Sequence, residues 1–285
     1  MVDFFSETVA KLAQAKISSP RLEAREIFAA VLQKDVSEIY SGCIVDLEQK
    51  QKIEALVDKR LQHCPLDKII GKKGFYKYDF ICTEDVLSPR PETEILVERA
   101  LELLPEKQAF EILDLGTGSG CIIESILAER QQWHGTAVDV SDKALAVAKQ
   151  NAETLKIVNR LNFINAGWFD ADFLNNFTKK FDLIVTNPPY IPQDDIAFLE
   201  PEVKDYDPLL ALNGGQSGYE SYEKIAELTP LLLKDNGNIL IEAGAGQAQK
   251  IAELFENQGL SLQKIVPDLA GMERCVILQK KVAQS

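Results

Sequence analysis

The stretch that decides the fold is Ile112-Leu113-Asp114-Leu115-Gly116-Thr117-Gly118-Ser119-Gly120-Cys121. An apolar strand-like run ends here, three glycines stand at alternate positions, and an apolar helical run begins. Glycine lets a backbone approach a ligand closely, and the free N–H groups at a helix N-terminus attract an anion. A tight strand-to-helix turn without a ligand has the same pattern, so the turn alone leaves both interpretations open. A dinucleotide-binding fingerprint would need glycine at position 121, where cysteine stands.

Strand-like and helical runs alternate on the C-terminal side of residue 109. This alternation predicts an α/β fold with a mostly parallel, doubly wound sheet of seven strands and helices on both faces. The last two strands lie close together with Pro267 and Gly271 between them, which predicts a hairpin and an antiparallel final strand. The predicted strands are 110–115, 136–140, 161–165, 181–186, 238–242, 260–266 and 275–279, with helices at 121–130, 142–155 and 246–258.

The N-terminal part of the chain has a different pattern. Apolar side chains recur at helical spacing through residues 1–65, and Ser19-Pro20 predicts the start of a helix, so we expect a small all-helical domain. Residues 75–82 alternate at strand period, which predicts a β-hairpin within a linker over 66–90. The α/β domain is then expected to occupy 91–285.

Charge and composition exclude several classes of protein. The 285 residues include 31 Lys and Arg against 44 Asp and Glu, a net charge of −13, which disfavours a general nucleic-acid or anionic-membrane binder. Residues 1–87 carry a net of −1, so the remaining −12 belongs to 88–285. We expect no secretion signal and no membrane span, since no apolar run approaches the ~20 residues of a span. Five cysteines without a C-x-x-C pair and only two histidines disfavour disulfides and a metal site, and favour a reducing cytoplasm.

Two further residues stand where an adenosine would need them. Asp139 closes the second predicted strand, 19 residues past Gly120, where a carboxylate can accept hydrogen bonds from both ribose hydroxyls. It can equally cap the following helix, a role that Ser141 can also fill. Trp168 lies just beyond the third strand, where its indole either covers an adenine or belongs to the core.

Asn187-Pro188-Pro189-Tyr190 follows the fourth strand, at the edge of the sheet where doubly wound folds bind ligands. A proline pair alone indicates only a stiff loop. These residue types also fit the methylation of a planar –NH₂ group. Asn187 Oδ1 and the Pro188 carbonyl can accept its two N–H groups, the prolines fix the backbone, and Tyr190 can stack on the amide or base plane. No strong base is needed, because the nitrogen can lose its proton after the transfer.

The glycine turn D-x-G-x-G-x-G resembles motif I of the class I S-adenosylmethionine-dependent methyltransferases. Together with the 187–190 loop and Pro89-Arg90-Pro91-Glu92-Thr93-Glu94, the chain resembles the HemK/PrmC family of release factor-specific protein-(glutamine-N5) methyltransferases. The resemblance implies a Rossmann-like fold and a cytoplasmic enzyme of translation termination. Such an enzyme methylates the glutamine of the Gly-Gly-Gln loop in class 1 peptide chain release factors. It uses S-adenosyl-L-methionine without a metal and releases S-adenosyl-L-homocysteine.

The resemblance also implies residue roles. Cofactor contacts are expected at Gly116, Thr117, Gly118, Ser119, Gly120, Asp139, Trp168 and Asn187, catalytic roles at Asn187, Pro188 and Tyr190, and substrate contacts at Asn187, Pro188, Pro189 and Tyr190. The helical domain over 1–65 is expected to dock the substrate. The family often has Asp where this chain has Gly167, so Asp170 or the backbone would have to accept the adenine amine.

Several alternatives remain open from the sequence. The 187–190 motif is shared with adenine-N6 DNA and guanine-N2 RNA methyltransferases, although the −12 charge of 88–285 disfavours a nucleic-acid substrate. A non-catalytic S-adenosylmethionine-binding adaptor is a further alternative, which an intact Asn187 disfavours. Arg90 and Thr93 either close over the cofactor or form a hinge and helix cap, and Glu242 and Arg274 have no assigned role.

Overall fold

The computed structural model describes residues 3–282 and divides the chain into two compact units. The first, here called the helical unit, contains the chain up to Lys72 together with Glu200–Tyr206. The second, the α/β unit, contains Lys73–Leu199 and the chain from Asp207 onward.

Capping residues define the helices of the helical unit. These helices are α1 (Phe4–Gln14), α2 (Pro20–Leu32), α3 (Leu47–Leu61) and α4 (Leu66–Ile70). The Asp3 side chain accepts from Ser6 N at the start of α1, and Asp46 with Gln49 forms a capping box at α3. Helix α2 begins at Pro20 as predicted, but Ser19 makes no side-chain cap bond. Apolar faces of these helices enclose a separate core around Phe5, Phe28 and Ile53.

Residues Glu200–Tyr206 belong to the helical unit although they lie far along the chain. The buried Arg60 pairs with Glu23 and with Glu202, the latter at 2.7 Å. Tyr206 Oη donates to the Gln62 carbonyl at 2.8 Å. The sequence does not predict this association, because nothing in the local pattern of residues 200–206 differs from an ordinary loop.

The α/β unit begins with a two-stranded hairpin, β1 (Lys72–Phe75) and β2 (Tyr78–Ile81). The β-hairpin predicted from the alternation over 75–82 is confirmed, and its turn lies inside the alternating run. Tyr76 adopts a left-handed φ of +56° and starts a two-residue turn with Lys77. The alternating side chains therefore belong to a turn and one strand.

The remaining elements form the predicted layers. The strands are β3 (Glu111–Leu115), β4 (His134–Asp139), β5 (Leu161–Asn165), β6 (Phe181–Thr186), β7 (Leu233–Glu242), β8 (Leu260–Pro267) and β9 (Glu273–Lys280). The helices are α5 (Glu94–Leu103), α6 (Cys121–Glu129), α7 (Asp142–Thr154), α8 (Pro201–Lys204), α9 (Leu209–Leu212), α10 (Glu220–Leu232) and α11 (Ala248–Glu256). Of these, α8 lies within Glu200–Tyr206, the segment that belongs to the helical unit.

The sheet has the order β5-β4-β3-β6-β7-β9-β8, and β9 runs antiparallel to both of its neighbours. Alternate side chains of its central strands enter opposite cores: Ile112 packs with α5 and α6, whereas Leu113 packs with α10 and α11. The predicted α/β class, with a mostly parallel seven-stranded sheet covered on both faces and an antiparallel final strand, is confirmed.

Parallel register brings the carboxyl ends of four strands together. Leu115 of β3 pairs with Val138 of β4 and with Thr186 of β6, and Asp139 pairs with Asn165 of β5. Thr186 Oγ1 also donates to the Leu115 carbonyl at 2.8 Å. The residues that follow β3, β4, β5 and β6 are therefore neighbours at one edge of the sheet.

Candidate active site

The glycine turn after β3 is built from left-handed backbone. Gly116, Gly118 and Gly120 have φ values of +78°, +55° and +84°, a region that side chains rarely adopt. The N–H groups of Gly116 and Thr117 both donate to the Val138 carbonyl at 2.9 Å, which fixes the turn to β4. No atom lies within 4 Å of the position that a Cβ on Gly118 would occupy, so this face of the turn is open to a ligand.

The side chains of the turn face the protein. The Thr117 hydroxyl donates to the buried Asp114 carboxylate at 2.8 Å, and burial raises the pKa of Asp114 to about 7. Ser119 is buried, and its carbonyl accepts from Asn151 Nδ2 at 2.9 Å. Cofactor contacts at these two predicted positions therefore have to come from the backbone.

Asp139 is oriented by the same turn. Gly118 N donates to its Oδ2 and Ser141 N to its Oδ1, each at 2.9 Å, and burial raises the pKa of this carboxyl. Each oxygen retains a lone pair for a further donor. Ser141 Oγ accepts from Ala144 N and caps α7, so the helix-cap alternative considered for Asp139 is taken by Ser141.

Trp168 packs on the glycine turn. Two atoms of its six-membered ring lie 3.4 Å from the position of a Cβ on Gly116, so a side chain there would meet the indole. Its Nε1 is enclosed and has no hydrogen-bond partner among residues 3–282, which is unusual for a buried donor. The open backbone at Gly118, the oriented Asp139 carboxylate and this indole fit an adenosine-bearing cofactor.

The Asn187 amide is held by two side chains from distant parts of the chain. Its Nδ2 donates to Thr93 Oγ1 at 3.4 Å, and the amide lies close enough to the carboxyl of Glu242 to lower the pKa of that group. Thr93 Oγ1 in turn donates to Glu242 Oε2 at 2.5 Å. Because the –NH₂ group faces Thr93 and Glu242, Oδ1 is the atom that remains to accept from a ligand.

Glu242 is buried at the end of β7, and burial raises its pKa to about 7. The hydrogen bond from Thr93, the positive charge of Arg274 and the nearby amide of Asn187 act in the opposite direction and stabilise the ionised form. The sequence alone assigns no role to Glu242 and leaves that of Thr93 open. An acid at a strand end and the 89–94 segment are the signals that could have indicated them.

Tyr190 and the prolines are fixed by a second set of contacts. Gln247 Nε2 donates to the Tyr190 carbonyl at 3.2 Å, and a Cβ on Gly214 would stand 2.7 Å from Tyr190 Cα. Pro188 is buried, and burial raises the pKa of the Tyr190 hydroxyl to about 12. The loop over 187–190 is thus held along its length.

Arg90 and Arg274, which the sequence left open, are both ion-paired. Arg90 Nη2 lies 2.8 Å from Oδ2 of Asp207, whose side chain is 1% exposed while that of Arg90 is 41% exposed. Arg274 Nε lies 3.2 Å from Asp268 Oδ2, and its Nη1 donates to the Ala243 carbonyl. Thr93 makes no side-chain cap bond to α5. Its hydroxyl instead donates to Glu242 and accepts from Asn187.

Two other kinds of site are absent from the described part of the chain. Within residues 3–282 there is no group of three His, Cys, Asp or Glu side chains that could hold a metal ion. No helix between residues 3 and 282 is long and apolar enough to cross a membrane.

Comparisons with known proteins agree along the chain. Residues 3–71 match the family model of the PrmC N-terminal domain, and residues 92–199 match that of the methyltransferase small domain. The chain is 40% identical to the release factor glutamine methyltransferase of Rhodospirillum rubrum, over 96% of this chain and 83% of that protein. It is 37% identical to the one from Caulobacter vibrioides, over 96% and 94%. A methyltransferase structure from Pyrococcus furiosus is 19% identical with a TM-score of 0.53, covering 73% of this chain and 91% of that one.

Proposed function

Because the chain belongs to the release factor glutamine methyltransferase family, we propose that its substrate is the glutamine of the Gly-Gly-Gln loop in class 1 peptide chain release factors. The chain is an S-adenosylmethionine-dependent methyltransferase. It transfers the methyl group to the side-chain amide nitrogen, N5, of that glutamine and leaves S-adenosylhomocysteine.

The observation that carries this proposal is the orientation of the Asn187 amide. Its –NH₂ group donates to Thr93 and lies beside Glu242, so Oδ1 is directed to accept one N–H of a substrate amide. The Pro188 carbonyl accepts the other, and fixed φ at Pro188 and Pro189 keeps that carbonyl aimed. Tyr190 covers the planar face of the amide. Two acceptors at fixed positions select a –NH₂ group and turn its nitrogen toward the methyl donor.

The same two acceptors stabilise the charge that develops during the reaction. The bound sulfonium supplies an electrophilic methyl group. As the N–C bond forms and the C–S bond breaks, positive charge develops on the amide nitrogen, and its N–H groups then donate more strongly to Asn187 Oδ1 and to the Pro188 carbonyl. The nitrogen afterwards loses a proton to water. No side chain has to act as a strong base, which agrees with the scarcity of histidine, since the chain has only two.

We assign the cofactor to the turn after β3 and its neighbours. The backbone of Gly116 to Gly120 would approach it, Asp139 would accept the ribose hydroxyls, and Trp168 would form the wall beside the adenine. Asn187 lies next to this group because β3 and β6 end in register. The N-terminal domain, predicted over 1–65, is proposed to dock the release factor. The linker over 66–90 then connects this domain to the methyltransferase domain over 91–285.

Charge supports a protein substrate over a nucleic acid. Residues 88–285, which contain the 187–190 loop, carry a net charge of −12, whereas a DNA or RNA enzyme needs a basic groove beside its site. Because release factors act during translation, the proposal places the protein in the cytoplasm, without direct nucleic-acid or membrane partners.

The test is a transfer assay with labelled S-adenosylmethionine. Parallel reactions contain a class 1 release factor, the same factor with its Gly-Gly-Gln glutamine replaced by alanine, and DNA or RNA. We expect label only on the unmodified factor. Label on nucleic acid, or equal label on the glutamine-to-alanine factor, would contradict the proposal, and an absence of label in every reaction would favour an adaptor.

A further inference from the structure

The turn between β8 and β9 presents apolar side chains to solvent. This turn, residues 268–272 and here called the β8–β9 tip, has the sequence Asp-Leu-Ala-Gly-Met. Leu269 is fully exposed, and Met272 is nearly half-exposed. A single exposed apolar side chain is ordinary, but two on one short turn form a patch, which is the kind of surface that contact sites use.

Hydrogen bonds inside the β8–β9 tip fix its shape. Asp268 Oδ1 accepts from Ala270 N and Met272 N, each at 2.9 Å, and Asp268 N donates to the Met272 carbonyl at 2.8 Å. Gly271 has a φ of +83°, and its N–H donates to the Asp268 carbonyl at 3.0 Å. Because the backbone is closed around Asp268, Leu269 is held in solvent instead of folding back onto the strands.

An arginine joins the β8–β9 tip to the residues around the 187–190 loop. Asp268 Oδ2 lies 3.2 Å from Arg274 Nε, and Arg274 Nη1 donates to the Ala243 carbonyl at 3.3 Å. Burial raises the pKa of Glu242 and of Tyr190, and the positive charge of Arg274 opposes the rise in each. The guanidinium that anchors the tip therefore lies near both of these groups.

The sheet register places the tip at the same edge as that loop. Glu242, the last residue of β7, pairs with Cys275 of β9, so the residues before Cys275 lie beyond the carboxyl end of β7. The loop over 187–190 follows β6, whose Thr186 pairs with Ile241 of β7. The tip and the loop therefore leave the sheet at one edge, on either side of β7.

This position indicates which partner covers the tip. The glutamine that reaches Asn187 belongs to a protein, so the protein surface around it has to lie over the carboxyl edge of the sheet. An apolar side chain that is already held in place loses little conformational entropy when it binds. The tip thus offers a preformed contact to whatever protein delivers the glutamine.

We propose that the β8–β9 tip is a docking point for the release factor. Leu269 and Met272 pack against an apolar surface of the part of the release factor that carries the Gly-Gly-Gln glutamine, and Asp268 is the positioning residue that holds the tip in shape. The inference rests on the function proposed above, and it adds a contact outside the loop that binds the glutamine itself.

Steady-state kinetics with a class 1 release factor test the docking point. Leu269→Ser should raise the KM for the release factor about tenfold or more, the loss expected when a leucine is no longer buried in the complex, and should leave kcat within about twofold. Leu269→Met keeps an apolar side chain of similar size, so its KM should match that of the wild type. The Kd of S-adenosylhomocysteine should be the same in all three proteins.

Leu231→Ser is the matched control. Leu231 is also an exposed leucine of the α/β unit, but it lies in α10 close to Leu233, which pairs with Phe181 at the amino end of β6. This is the opposite edge of the sheet, so the KM of Leu231→Ser should equal that of the wild type.

The positioning role of Asp268 has its own pair of variants. Asp268→Ala removes the hydrogen bonds that close the tip, so the KM for the release factor should rise although Leu269 is unchanged. Asp268→Asn keeps an oxygen that can accept from Ala270 and Met272, so its KM should rise less.

Three results would overturn the proposal. The first is an unchanged KM in Leu269→Ser, and the second is an equal rise in Leu231→Ser. The third is a dimer in analytical ultracentrifugation that Leu269→Ser dissociates without a change in KM, which would assign the tip to a second copy of the chain. A wild-type protein that leaves the release factor unmethylated is a different outcome, since it contradicts the proposed function and the docking point with it.

Discussion

We expect Asn187→Asp to slow methyl transfer strongly although the new side chain keeps an acceptor oxygen at the position of Oδ1. The substitution replaces the –NH₂ group that donates to Thr93 and lies beside the Glu242 carboxyl with a second oxygen. Two carboxyl groups then share a buried space, and burial already raises the pKa of Glu242 to about 7. The side chain at position 187 would turn away from Glu242, and its acceptor oxygen would no longer face the substrate amide.

The size of the effect follows from the two lost interactions. The bond to the Thr93 hydroxyl is worth about 1 kcal/mol, and the polar interaction with the Glu242 carboxylate at most about 1.5–3 kcal/mol. Together they hold the amide orientation by about 2.5–4 kcal/mol. If the transition state depends fully on that orientation, the rate of transfer falls by a factor of about 10²–10³.

A second substitution reverses the polarity of the pair. In the double variant Asn187→Asp with Glu242→Gln, the amide introduced at position 242 donates to the carboxylate introduced at 187, so the rate should recover at least about tenfold. Glu242→Gln alone should cost less than about tenfold, because an amide oxygen there can still accept from Asn187. Single-turnover transfer rates give the cycle, and the far-ultraviolet circular dichroism spectrum, expected to match that of the wild type, controls for folding. A wild-type rate in Asn187→Asp, or no recovery in the double variant, would refute the reasoning.

Two further substitutions test stability and loop position. Glu124 is buried beside Gly120, its carboxyl oxygens have no partner among residues 3–282, and burial raises its pKa well above 4.5. The stability that this carboxyl contributes is complete below its pKa in the unfolded chain and is lost as the pH rises through its pKa in the folded protein. Glu124→Leu should therefore raise the free energy of unfolding in urea by about 1–3 kcal/mol, and the gain should increase with pH. Gly214→Ala would put a Cβ 2.7 Å from Tyr190 Cα without a left-handed φ, so kcat should fall about 10- to 100-fold while cofactor affinity stays unchanged.

Each of these has a matched control. Glu124→Gln removes the titrating group but keeps a buried polar one, so it should abolish the pH dependence without the full gain in stability. Gly74→Ala adds a Cβ whose nearest neighbour is 3.7 Å away, so its kcat should match that of the wild type. A pH-independent effect of Glu124→Leu, or equal losses of kcat in the two glycine variants, would contradict these explanations.

Local patterns were enough to predict most of the fold. The glycine turn, the alternation of strands and helices, and the short gap between β8 and β9 are all sequential signals, and each is reproduced by the structure. The hairpin was predicted as well, but the position of its turn at residue 76 was not, since a left-handed φ at a tyrosine leaves no mark in a polar and apolar alternation.

The polar network around Asn187 could not be predicted in the same way. Thr93 and Glu242 are separated by 149 positions, and their hydrogen bond exists only because α5 and β7 pack together. No spacing rule relates residues so far apart. The same reason explains why Glu200–Tyr206 was not assigned to the helical unit.

The loop over 187–190 is proposed to hold an amide nitrogen in position to receive the methyl group. A release factor incubated with the protein and S-adenosylmethionine would be digested and analysed by tandem mass spectrometry. We expect a mass increase of one methylene on the side chain of the Gly-Gly-Gln glutamine, absent when Asn187→Ala replaces the wild-type protein. A methyl group on any other residue, or on that glutamine at the wild-type level with Asn187→Ala, would contradict it.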